Sequence, residues 1–158
     1  AYRDLEKYTE AIGSFQEARA LYKSNKEVIH VARCDQKIAS CYVELENGEA
    51  ALLSARKALD VFETAHDHLR ETFALFEYGK AQVLLGKLEE GLDSLDTVLQ
   101  TATEEDPKDF EFIVDIESRM AAVMRTLGRD KEAEEVERRL ASVRDAMIED
   151  TNNEEERA

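Results

Sequence analysis

Apolar residues along this chain recur at intervals of three and four, the spacing of one helix face, and no stretch alternates as a strand would. Cys34, Ile38, Cys41, Tyr42 and Leu45 form one such stripe, and Ala51, Ala55, Ala58, Leu59 and Phe62 form the next. Breakers and polar turns separate the stripes, with Asn47-Gly48, Gly86-Lys87 and Gly128-Arg129 in corresponding places. The pattern predicts helices over 8–23, 26–46, 48–65, 69–85, 88–103, 109–127 and 130–148, with a half-turn remnant before the first. Glu104-Glu105-Asp106-Pro107 punctuates one connection, since proline suits a helix start and acids suit the positive end of the helix dipole.

Three rows of positions recur together. Leu5, Leu45, Leu85 and Leu127 stand 40, 40 and 42 residues apart, and the small residues Ala11, Ala51, Gly91 and Ala133 keep the same steps. So do Ala18, Ala58, Val98 and Leu140. Each repeat is therefore a helix, a tight turn and a second helix, and small residues let the two helices approach while large neighbours fill the grooves. The units fall at about 1–25, 26–67, 68–107 and 108–149, and the polar segment 150–158 is expected to be disordered.

These residues resemble the tetratricopeptide repeat. Ala11-x-x-x-Phe15 with Ala18 matches the second-helix half of its signature, and Ala39-x-x-Tyr42, followed by Leu45, Ala51 and Ala58, matches the first-helix half. Tyr78-Gly79, Leu85-Gly86, Leu88, Gly91 and Leu95 carry the third unit. The fourth has Ala121-x-x-Met124, Leu127-Gly128, Ala133 and Leu140, with Glu137 where an apolar residue belongs, as in a solvent-facing cap. The chain departs from the family in lacking tryptophan and in its units of about 40 residues. Units of that length resemble those of the kinesin light chain, the Pins-type spindle-orientation adaptors and bacterial peptide-sensing regulators.

The resemblance implies an all-α fold, a right-handed superhelix of about three and a half helical hairpins, with the first helix of each hairpin lining a concave face. On those helices it places Arg33, Lys37, Phe73, Phe76, Lys80, Arg119 and Arg125 as candidate partner-binding residues. Five bases beside two aromatics suit a peptide or protein with acidic groups and an apolar anchor. The implied function is a non-catalytic interaction scaffold. A peptide-sensing regulatory domain and a homo-oligomerisation module are the alternatives. The last would use a heptad-like seam on the final helix, where Leu140, Val143 and Met147 continue Ala133 and Val136. A cap lying on its neighbour has the same pattern and is the favoured reading. At the other end, Tyr2, Leu5 and Tyr8 form a second candidate contact surface.

Composition narrows the rest. A net charge of −15 from 36 acids and 21 bases opposes binding to nucleic acid, which needs a basic surface. No apolar run approaches a membrane span, and the chain reads as a cytoplasmic domain with no membrane partner. Cys34 and Cys41 lie two turns apart on one helix, about 10 Å between Cα atoms, which is beyond disulfide reach. His66 and His68 flank a turn without the spacing of a zinc site, and no phosphate loop or nucleophile motif occurs. No catalytic residue, metal or cofactor is assigned.

Overall fold

A computed structural model describes residues 2–157, with side chains from residue 3. The fold is all-α, as the spacing predicts. Its helices are α1 (Tyr2–Ser24), α2 (Val28–Glu44), α3 (Gly48–Thr64), α4 (His68–Leu84), α5 (Leu88–Glu104), α6 (Phe110–Thr126) and α7 (Asp130–Arg157). No strand occurs among the described residues. From α2 to α5 every helix has 17 residues and every connection three, so the backbone repeats every 20 residues and the hairpin every 40. The longer step between Leu85 and Leu127 comes from the α5–α6 connection, residues 105–109, which has five residues and holds Pro107.

The short turns share one construction. Lys26, Glu46, His66, Gly86 and Gly128 all have positive φ, between 55° and 77°. In each turn the amide after that residue donates back to the helix, as in Asn47 N to Tyr42 O at 2.9 Å and Asp67 N to Phe62 O at 3.0 Å. These bonds satisfy carbonyls that a helix C-terminus leaves without partners. The following residue then opens the next helix. Asn47 accepts from Ala50 N at 3.2 Å and Asp67 from Arg70 N at 3.2 Å.

Three of the sequence assignments change here. In the Asn47-Gly48 pair, Asn47 is the cap, and the left-handed residue is Glu46. Gly48 instead makes a close approach, because a Cβ there would lie 3.0 Å from Leu85 Cγ. The half-turn remnant before residue 8 is continuous helix, since no residue there halts α1. Leu5 thus lies inside a helix, whereas Leu45, Leu85 and Leu127 cap helix C-termini. At the far end α7 continues as helix to Arg157, through most of the tail expected to be disordered. Its Glu and Arg residues are good helix formers.

The chain divides into two compact units, 1–95 and 96–158, with the boundary inside α5. In the first, Ile12 of α1 packs with Ile38 and Cys41 of α2. Ala32, Ala58, Leu59, Phe62 and Ala74 join α2, α3 and α4 in a second cluster. Val43, Ala51 and Ala81 form a third. Ala51, Ala58, Ala74 and Ala81 are fully enclosed, the close packing that their small size permits. In the second unit Ile116, Met120 and Val123 of α6 are buried, as are Ala133, Val136 and Leu140 of α7. No described helix is long and apolar enough to cross a membrane.

Candidate functional site

In the first unit, α2 and α4 pack against each other and occupy equivalent places in successive repeats, so Arg33 corresponds to Phe73 and Lys37 to Glu77. The alanines Ala32, Ala39, Ala74 and Ala81 turn inward. Arg33 and Lys37 are exposed, one turn apart, and neither makes an ion pair or hydrogen bond among the described residues. On α4, Phe73 is 36% exposed, and Leu69 and Leu84 are more so, at 54% and 40%.

Phe76 and Lys80 do not stand open beside them, contrary to the expectation that both face a ligand. They are buried at 5% and 8% exposure. Lys80 Nζ lies 3.0 Å from both carboxylate oxygens of Glu77 and 4.1 Å from the centre of the Phe76 ring. Positions three and four apart on a helix meet, so the lysine folds back over its own helix. Its charge is already neutralised, and the low-dielectric setting makes loss of either partner costly. This cluster is a floor beneath the exposed residues rather than a contact surface.

The cysteines belong to the same packing. Burial pushes both thiols up; Asp35 adds to this at Cys34, and Glu77 with Glu44 at Cys41. Such thiols are poor nucleophiles. Arg19 Nε donates to the buried Asp35 at 2.7 Å and ties α1 to α2. Of the histidines flanking the α3–α4 turn, His66 takes the left-handed position and His68 Nδ1 lies 3.3 Å from Glu71 Oε2. No group of three metal-ligating side chains occurs among the described residues.

The candidate bases of the second unit are already paired. Arg119 Nε donates to Asp115 Oδ1 at 2.7 Å. Arg125 makes a two-bonded fork with Glu137, both contacts at 2.9 Å, and lies 3.6 Å from Asp130. The fork raises the guanidinium's proton affinity and holds the Glu137 carboxyl below its usual range. Glu137 thus replaces an apolar repeat residue with an ion-pair partner for the facing helix.

The heptad-like seam on α7 is largely used within this unit. Leu140 is buried at 5% exposure with Val136 and Ala133, and Val143 and Met147 are half-buried. The burial of Leu140 leaves it unavailable as an open dimer seam and is the arrangement of a cap, in which the stripe is the helix's contact with its own fold. At the N-terminus Leu5 is exposed and Tyr8 half-buried, while the Tyr2 side chain lies outside the described residues.

Sequence reasoning missed Leu69 and Leu84. The signal was present: Leu69, Phe73 and Leu84 form a second apolar stripe on α4, beside the residues that pack inward. A helix apolar on more than one face either sits in a deep core or offers a contact surface.

No family model matches the sequence, and no curated protein matches it. Among solved structures, the chain is similar to the crystal structure of BtubC (BKLC) from P. vanneervenii, with a TM-score of 0.78 and 17% identity over 90% of this chain. The match spans 59% of the BtubC chain. At that identity the likeness is one of fold, and the all-helical hairpin architecture is what the two proteins share.

Proposed function

We propose that this chain is a tetratricopeptide-type repeat domain, a non-catalytic scaffold that binds a partner protein or peptide on the α2–α4 surface. In this reading the hairpins follow the right-handed superhelix of that family, with α2 and α4 on its inner side. The observation that carries the proposal is the state of the candidate bases. Lys80, Arg119 and Arg125 are satisfied by Glu77, Asp115 and Glu137, whereas Arg33 and Lys37 are exposed and uncommitted on α2, and α4, which packs against it, exposes Leu69 and Phe73.

That combination on two packed helices selects a ligand. Exposed apolar residues gain free energy when covered, about 25 cal/mol per Å² of apolar surface removed from water. A guanidinium and an ammonium one turn apart favour carboxylates, and do so more strongly where the apolar contact excludes water. The partner is therefore an acidic segment with an aromatic or aliphatic anchor that covers Phe73. On a chain of net charge −15, a basic pair is also the place where an acidic ligand is least repelled.

Selection of a random peptide display library on the domain tests this. Enriched peptides are expected to combine Asp or Glu with an aromatic or large aliphatic residue. Their binding is expected to weaken as salt rises. Enrichment of basic peptides, or none after selection on the folded domain, would overturn the assignment.

A further inference from the structure

Glu117, on α6, is a buried acid at 4% exposure. Its Oε2 is enclosed and has no hydrogen-bond partner. Arg139 of α7 is the charged group that faces it, with Nε 4.0 Å from Oε1, too far for a hydrogen bond. The arginine side chain is 54% exposed and so has freedom to move. Elsewhere on the same hairpin, the Arg125–Glu137 fork is closed at 2.9 Å. The hairpin thus has one completed ion pair and one left half-made around a buried oxygen.

A carboxylate in such a place is costly when ionised and much less so when neutral. Burial pushes the Glu117 carboxyl up, and the nearby Arg139 opposes this with the smaller effect. We infer that Glu117 and Arg139 form a proton-dependent latch that sets how firmly α7 lies on α6. With Glu117 neutral, the acid is accommodated in the core and α7 closes over it. With Glu117 ionised, Arg139 stops short of a hydrogen bond, so the buried charge draws water into the α6–α7 contact and loosens α7 around Arg139. The sign follows from linkage: a raised carboxyl stabilises the folded hairpin below the usual carboxylate range, and that stability is lost as pH rises through the group's own pKa.

The test combines NMR titration of the Glu117 carboxyl with amide hydrogen-exchange protection across residues 136–147, from about pH 4 to about pH 8. In the wild type, protection is expected to fall severalfold as Glu117 ionises, with a midpoint above the usual carboxylate range. Glu117→Gln should remove that dependence and keep the high protection at neutral pH. Arg139→Gln should move the midpoint upward, because the cation favouring the ionised form is gone. A Glu117 carboxyl titrating in the ordinary range, or a Glu117→Gln variant with the wild-type pH dependence of protection, would overturn the latch. Because the readouts are side-chain titration and local opening, neither depends on the proposed partner surface.

Discussion

His66 has a φ of 55°, where an L side chain is strained and glycine is not. Gly86 and Gly128 fill the same place in their turns. His66→Gly is therefore expected to stabilise the domain by about 0.5–1 kcal/mol, after allowing for the extra freedom glycine gives the unfolded chain. Chemical denaturation would measure it. A loss of stability would show that the imidazole makes a contact worth more than the backbone strain. Asp67 and Glu137 are held below the usual carboxylate range by hydrogen bonds from Arg70 and Arg125. Their stabilisation is present above that range and is lost as pH falls through their lowered values, opposite in sign to the effect at Glu117. Thermal melts of Glu137→Gln across acidic pH should accordingly show a flatter decline than the wild type.

At the scale of the helices, the small-residue row has a physical test in two glycines. Gly91 faces α4 so closely that a Cβ would lie 2.6 Å from Val83 Cγ2 and 3.1 Å from the Gly79 carbonyl oxygen. Gly91→Ala gains about 1 kcal/mol of helix propensity but incurs overpacking of about 1–3 kcal/mol, so a net loss is expected. Gly13, on α1, has nothing within 4 Å of that position. Gly13→Ala should therefore stabilise by up to about 1 kcal/mol. Equal and favourable effects at both sites would mean that the helices do not need a small residue at Gly91.

The elements themselves were legible because hydrophobic spacing and turn chemistry agreed over most of the chain. Ala51, Ala58 and Leu95 recur at the spacings that packing needs, and all are buried. Illegible was the left-handed role of Lys26, Glu46 and His66, since no glycine stands at those positions. The start of α1 was obscured by a different cause: Leu5 keeps the 40-residue step, yet no capping residue accompanies it. The helical state of the last residues also escaped the pattern, because a run of acids is compatible with either a helix or a solvated coil.

For the molecule as a whole, the sequence located the candidate surface more coarsely than the structure does. Composition and resemblance put seven residues on one face without distinguishing exposed from satisfied. That distinction depends on three-dimensional pairing. Lys80 turns back to Glu77, and Arg125 reaches a different helix at Glu137, a contact that no local spacing announces. What remains exposed is Arg33 and Lys37 on α2 and Leu69 and Phe73 on α4. Because it is basic on an acidic chain, its recognition should be salt-sensitive, whereas the fold, held by buried alanines and leucines, should not be.

The most direct measurement is the affinity of a display-selected acidic peptide for the wild type, for Arg33→Glu/Lys37→Glu and for Arg119→Glu, with helicity checked in each. The account predicts a loss of about tenfold or more, 1.4 kcal/mol, for the double reversal. It predicts little change for Arg119→Glu, where Asp115 already occupies the guanidinium. Equal affinity of all three proteins, with helicity intact, would contradict the α2–α4 surface as the binding site.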